Sequence, residues 1–153
     1  METKEYEIKE GSFCENLDSF SDLLKEHWEE VAKNKEVMIL SPDRDKYKAL
    51  EDSGSLKTLI AYSNGVPVGY SVNIVGPHLH YSSLIVGYND LLFILPEFRN
   101  SPLGLKLIRQ TEKFMKTLGV SLLLWHAKEG TSLDKILPAL RYKTQEIIYS
   151  KQL

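Results

Sequence analysis

The chain has 153 residues, 42% of them hydrophobic and 26% charged, the composition of an ordinary globular protein with material for one core, and it reads as one domain. A formal charge of −2, a sequence pI near 6.1 and basic residues scattered along the chain exclude a protein built mainly to hold nucleic acid. One cysteine, Cys14, excludes an intramolecular disulfide or multi-cysteine zinc site, and the charged start METKEYEIKE, with no long apolar run after it, leads us to expect a soluble, cytoplasmic protein.

Residues 4–9 alternate Tyr6 and Ile8 with charged neighbours, the period of a half-buried strand, and Gly11-Ser12 ends it. A helix is expected over 16–33, because Leu17, Phe20, Leu23, Leu24, Trp28 and Val31 recur at three- and four-residue spacing behind Asn16 as a cap. A break at 40–43 leads to a second helix over 45–52 with Tyr47 and Leu50 inward. Residues 56–63 and 66–75 read as strands joined by Asn64-Gly65, a strong hairpin signal. After a loop at 76–80, residues 81–95 read as one long strand with a bulge near Gly87, in preference to two strands turning at 87–90. A helix with Leu103, Leu107 and Phe114 on its apolar side closes at Leu118-Gly119. Residues 121–126 (SLLLWH) form a continuous apolar strand, and 131–140 a short helix with Thr131 and Asp134 spaced as a capping box. A last strand is expected over 143–151, with Ile147 and Tyr149 on one face and Ile148 on the other.

The stretch 91–114 organises the chain: an apolar strand, a turn broken by Pro96 and Pro102, then a helix. The first amides of such a helix have no intrahelical partner and sit at the positive end of its dipole, which suits a phosphate or pyrophosphate. Arg99 would stand beside them, and Gly104 would let a ligand approach the backbone. The same spacing also fits a plain strand-turn-helix connection with a surface arginine. The chain has no GxxxxGK[ST] and no GxGxxG. Residues 95–104, LPEFRNSPLG, resemble in register the acetyl-CoA loop of the GCN5-related N-acetyltransferases (GNAT), V-x-P-x-x-[RQ]-x-x-G-x-[GA]. Pro102, with no N–H to give, stands where the first loop glycine usually sits. Val66-Pro67-Val68-Gly69-Tyr70 resembles a second family segment, and the stretch WHAKEGT is similar to small acetyltransferase-type proteins of tailed bacteriophages. The expected element order is also the family's, so the resemblance implies a mixed α/β fold. Its sheet would be largely antiparallel, with a β-bulge strand, splayed central strands and four helices.

The resemblance further implies a cofactor lying where two strands splay. The backbone of Phe93, Ile94 and Leu95 would face pantetheine and the thioester carbonyl. Arg99 and the amides of Ser101, Leu103, Gly104 and Leu105 would hold the pyrophosphate. The tyrosine the family often uses as acid aligns with Leu137, and its pantetheine-bonding asparagine with Gly130, so both are replaced. Tyr142 falls where the family has a packing Phe. Asp90, Tyr88, His80 and His126 remain as candidate proton carriers, with Asp90 and His126 foremost. Asp90 also reads as a bulge or turn residue, and His126 as a polar exit from the core. His78 and His80 make half a metal site with no further ligands, so no metal is expected; Cys14 reads as inert.

The expected function is an acetyl-CoA-dependent N-acetyltransferase passing its acetyl group directly to an amine of a protein or small molecule. The alternative is a catalytically silent module on the same fold, acting on a host or virion protein. Acetyl-CoA and an amine acceptor are the expected partners, without nucleic acid or membrane, and a homodimer is consistent with the family's habits.

Overall fold

The computed structural model describes residues 5–153, so the expected strand start at Lys4 lies outside the described residues. Strand β1 (Tyr6–Gly11) is followed by helices α1 (Ser21–Val31) and α2 (Arg44–Asp52) and by strands β2 (Leu56–Ser63), β3 (Val66–Pro77) and β4 (Ile85–Ile94). A short 3-10 turn (Pro96–Phe98) leads into α3 (Leu103–Thr117), then β5 (Leu122–Trp125) and α4 (Ser132–Ala139). The five strands form one sheet in sequence order, antiparallel from β1 to β4, with β5 parallel to β4 after the α3 crossover.

The sheet is covered on both faces. Phe13, Leu17, Phe20, Leu23 and Leu24 from α1 and the turns before it pack on Leu56, Ile60, Tyr70, Val72 and Phe93, with Tyr47 and Leu50 of α2 at the margin. On the opposite face, Leu103 and Leu107 of α3 pack on Leu59, Ala61, Val68 and Ile94. The helical periodicities therefore meet the strand alternation as the sequence requires.

Helix α1 starts at Ser21 rather than Asn16, and Phe20 at its N-cap offers no side-chain bond. The Glu51 carboxylate of α2 accepts the amides of Phe13 (2.7 Å) and Cys14 (3.0 Å) and the Ser12 hydroxyl (2.7 Å). That long-range anchor holds 13–20 as successive turns, a tertiary substitute for a local cap. At the β2–β3 hairpin both Asn64 (φ 49°) and Gly65 (φ 78°) are left-handed, as the Asn-Gly pair demands.

Two strand expectations are corrected. Residues 81–84 belong to the β3–β4 loop, closed by His78 N–H to Leu84 O at 2.9 Å, so β4 begins at Ile85. Residues 143–151 form no strand: Ile147, Ile148 and Tyr149 are 69%, 76% and 88% exposed, and no strand pairs with them. Alternating apolar residues supply strand propensity, but a strand also needs a ladder partner. β5 is therefore the edge of the sheet, so the splay lies between β4 and an edge strand.

The bulge in β4 is at Asp90, not at Gly87. Val72 pairs with Leu91 and Asn73 with Asn89, leaving Asp90 as the extra residue. One inserted residue inverts the strand's alternation. Gly87 lies against Met115 and Val120, on the α3 side, whereas Leu91 and Phe93 face α1 and α2. Gly87 earns its place by packing: a Cβ there would lie 3.3 Å from Met115 Sδ and Val120 Cγ1.

Candidate active site

The bulge coincides with the point where the sheet opens. β5 pairs with β4 from Val86↔Leu122 to Asn89↔Trp125, after which His126 N–H makes one long bond of 3.4 Å to Asn89 O. From Leu91 to Ile94, β4 is paired with β3 alone. Leu95 N–H bonds Val68 O at 2.9 Å, and ladder alternation places the N–H of Phe93 on the same side. The N–H groups of Leu92 and Ile94 therefore point into the gap. Of the three backbone positions expected from the resemblance, Ile94 faces the gap, while the amides of Phe93 and Leu95 are directed to β3. Leu92 is the neighbour that sequence reasoning missed, and the register of the bulge decides it.

The loop after β4 supplies a second group of donors. Lys106 N–H bonds Pro102 O at 3.0 Å and Leu103 N–H bonds Ser101 Oγ at 3.2 Å. Ser101 N–H reaches Phe98 O at 3.3 Å. The amides of Gly104 and Leu105 have no partner among the described residues. A Cβ added at Gly104 would find only Ile94 Cδ1, at 3.8 Å, so nothing in the protein itself requires glycine there. Open space over unpaired first-turn amides is what an anion needs. Pro102 takes helical dihedrals (φ −70°, ψ −2°) and contributes a carbonyl but no donor.

Arg99 is held by the protein on two sides. Its Nε donates to Ile94 O at 2.8 Å, while Nη1 and Nη2 donate to Glu30 Oε1 and Oε2 at 2.7 and 2.6 Å. The guanidinium also lies over the Phe93 ring, 5.3 Å from its centroid. Three of five N–H groups are thus engaged, leaving two for a ligand. The hydrogen bond from Arg99 holds the Glu30 carboxyl below its usual range. This bidentate pair fastens the end of α1 to the loop after β4.

Beneath it, His27 is 8% exposed, stacks on Phe93 (4.7 Å between centroids, 14° between planes) and shares a 2.8 Å hydrogen bond between Nδ1 and the Tyr70 hydroxyl. Burial pushes the His27 pKa down to about 4 and raises that of Tyr70. Both partners are neutral near pH 7. Sequence reasoning missed this pair and Glu30, although His27 falls three and four residues after Leu24 and Leu23 on the apolar stripe of α1.

The candidate proton carriers separate into two groups. Asp90 projects from the bulge with its edge exposed; partial desolvation raises its carboxyl pKa, and His126 pulls it the other way. Asp90 in turn adds to the burial that raises Tyr47 on α2. His126, exposed at the end of β5, stacks over Tyr88 at 6.2 Å and 16°. Asp90, His126, Tyr88 and Tyr47 therefore converge at the mouth of the gap. His80 does not: it lies in the 78–84 loop, where its N–H bonds His78 Nδ1 at 3.1 Å and its ring is 5.8 Å from that of His78. No group of three or more potential metal ligands occurs among the described residues.

Leu137 is buried and packs inward from α4. Gly130, with φ 79°, donates its N–H to Asp134 Oδ2 at 2.8 Å, and Asp134 N–H reaches Thr131 Oγ1 at 3.4 Å, a capping box displaced by one residue. Tyr142 sets its ring edge-on to Trp125 and donates its hydroxyl to Glu112 Oε1 at 2.6 Å, so it packs as expected but adds a bond to α3. Cys14 is buried. No helix among the described residues is long and apolar enough to cross a membrane.

Comparison with known proteins agrees with this geometry. The model of the acetyltransferase (GNAT) family matches residues 17–132. A search of curated proteins found no significant match. Among solved structures, a GCN5-related N-acetyltransferase from Ralstonia eutropha JMP134 is similar over 97% of this chain and 99% of its own, at 19% identity and a TM-score of 0.75. The ribosomal-protein-alanine N-acetyltransferase from Brucella melitensis biovar Abortus 2308 is similar over 97% and 99%, at 17% identity and 0.72. An aminoglycoside N-acetyltransferase solved in complex with CoA is similar over 98% and 96%, at 18% identity and 0.69. At these identities the structures speak to the fold alone, and they share it along almost the whole chain. The family model covers well over half of the sequence, and the chain belongs to the GNAT acetyltransferase family, an acyltransferase in fold and lineage.

Proposed function

We propose that this protein transfers an acetyl group from acetyl-CoA directly to an amine. The observation that supports this most is the continuity of two unpaired donor sets. The inward N–H groups of Leu92 and Ile94 in the β4–β5 gap run into the unpaired amides of Gly104 and Leu105 at the start of α3. An extended ligand with an amide-bearing arm and a diphosphate would match both. Gly104 and Leu105, with Ser101 and Leu103 close by and the two remaining N–H groups of Arg99, would hold the diphosphate. Leu92 and Ile94 would bond the arm, and their dipoles, fixed in place before reaction, would stabilise negative charge on the thioester oxygen.

Asp90 and His126 would manage the proton. The acceptor arrives as an ammonium and must lose a proton before it attacks the thioester carbon. Asp90, made more basic than an ordinary carboxylate by its surroundings, would take that proton directly or through water, with His126 beside it. Collapse of the tetrahedral species breaks the C–S bond; the nitrogen gives up its second proton to solvent, and the leaving thiolate takes up a proton from solvent or from His126. Cys14, the one thiol of the chain, is buried, and we assign it no acyl-carrying role.

One reading in a different class has specific support. Pro102 removes a donor from the anion loop, and Leu137 is buried in the core where the family often keeps an acid. A silent binding module on the same fold would show both features. Titration calorimetry with acetyl-CoA, alongside melts with and without it, separates the two. Micromolar binding and a raised melting temperature are expected, since a ligand bound only by the folded state stabilises it. No binding and no shift at millimolar acetyl-CoA would sink the transferase reading.

A further inference from the structure

Between the sheet and α3 lies a polar cluster that neither fold nor anion binding requires. Ser71, Asn73, Asn89 and Thr111 are each 0% exposed. Ser71 Oγ is their hub: it pairs with Thr111 Oγ1 at 2.8 Å and accepts from Asn73 Nδ2 at 3.2 Å and Asn89 Nδ2 at 3.1 Å. Thr111 Oγ1 donates to Leu107 O at 2.8 Å, which ties the cluster to the helix whose first turn forms the anion loop. Asn73 Nδ2 also reaches Lys57 O and Ser71 O, at 3.2 and 3.3 Å. Asn89 Nδ2 bonds Asn73 Oδ1 across the strands at 2.9 Å and reaches Leu91 O, past the bulge, at 3.4 Å. One amide nitrogen, carried on the strand before the bulge, therefore touches the strand opposite and the strand after it.

The rest of Asn89 is as informative. Its Oδ1 is buried without a partner among the described residues. Buried polar atoms are nearly always paired, and an apolar residue here would avoid the orphan and the desolvation of one amide. Such a cost is retained where the geometry it enforces is used. What lies one residue on is Asp90, and two residues beyond that is Leu92, whose N–H opens on the gap.

We propose that Asn89 is a positioning residue for acetyl transfer: through its hydrogen bonds to Ser71, Asn73 and Leu91 O it locks the bulge, and so fixes the places of Asp90 and of the Leu92 N–H. The inference rests on the transferase reading above. Asn89 itself touches neither reactant.

The test compares Asn89→Ala with Thr111→Val, an isosteric change at the far end of the same cluster. Thr111→Val should lower the melting temperature and leave kcat within about twofold. Asn89→Ala should lower kcat at least about tenfold at saturating acetyl-CoA, the scale of a sub-ångström to ångström misplacement, with the calorimetric Kd for acetyl-CoA changed less than about threefold. The acid limb of its kcat–pH profile should move, because Asp90 leaves its partly desolvated place. In the protein without ligand, amide exchange should quicken at Leu91 and Phe93 and stay unchanged in α3. If Asn89→Ala does not fold, Ser71→Ala removes the hub oxygen, and the same changes are expected with smaller size. Wild-type turnover with an Asn89→Ala kcat and pH profile unchanged, or a kcat reduced only by the unfolded fraction, overturns the positioning role and leaves the transferase reading standing. Failure of the wild-type protein to bind acetyl-CoA overturns both.

Discussion

The buried His27 makes a pH test of the whole α1–sheet contact. In the folded protein its pKa lies at about 4, against 6.5 for the exposed side chain, and desolvation is the first cause. Glu30 opposes the shift, while Arg99 and Lys128 add to it. Between those two values the unfolded chain binds a proton that the folded chain refuses, so stability must rise with pH across the window and fall on acidification. The gap of roughly 2.5 units at about 1.4 kcal/mol each gives about 3 kcal/mol by pH 4, a large share of a typical domain's stability. With 8% exposure, His27 has little solvent to soften this. Urea unfolding of the wild type and of His27→Phe, which keeps a ring against Phe93, should be measured at intervals from pH 7.5 to 4. The two stability curves should converge as the pH falls, because the variant loses the bond to Tyr70 at every pH but escapes the acid penalty. Subtracting the curves cancels Glu30, Asp90 and other carboxylates to first order. Parallel curves would refute the reasoning, since they would mean His27 titrates alike in both states.

Arg99→Ala should destabilise by about 2 kcal/mol. The Glu30 pair, with side chains 31% and 39% exposed, contributes only about 1 kcal/mol after screening, and the bond to Ile94 O about as much again. A melting temperature lower by about 4–8 °C is expected, with acetyl-CoA bound about tenfold more weakly by titration calorimetry. Asp90→Asn should lower kcat by about a hundredfold with acetyl-CoA binding unchanged, and wild-type kcat should rise with pH through an acid limb displaced upward from that of an unperturbed aspartate. Gly69→Ala would place a Cβ 2.5 Å from Phe93 O and 2.8 Å from Ile94 Cγ1, so β3 and β4 must shift apart. A loss of about 1–3 kcal/mol by urea titration is expected, with reduced turnover in the fraction still folded.

How much of this could be read from the chain follows from how local each determinant is. The hairpin at Asn64-Gly65 and the stripe Leu103–Leu107 are set within a few residues, and both stand where periodicity put them. The loop 95–104 could be read as a candidate anion site because strand, turn and first helical turn are contiguous, and the structure keeps that order. The bulge was legible as a bulge, but its place was not. Gly87 is the residue that suggests one, whereas the place of Asp90 is set by the register against Val72 and Asn73 of the neighbouring strand and by the amide of Asn89, which no local rule supplies. Glu30, His27 and Tyr70 escaped notice because each takes its role from a partner more than forty residues distant. The last expected strand failed for a related reason: pattern gives propensity, and a ladder needs a neighbour.

The small size of β5 has a consequence for when the protein works. Strands β2 to β4 are joined by short connections, each to its neighbour in sequence, and such local pairing is inexpensive in loop entropy. β5 arrives only after a fifteen-residue helix and is held to the sheet by four paired positions at its edge. Segments of that kind open at a fraction of the free energy of global unfolding. One side of the gap belongs to this edge strand and to His126 just after it. On warming or in mild denaturant, acetyl transfer should therefore fail while the four-stranded meander and its two helical layers still report a native spectrum. Inactivation would then measure the undocking of one edge, and the melt would measure something else.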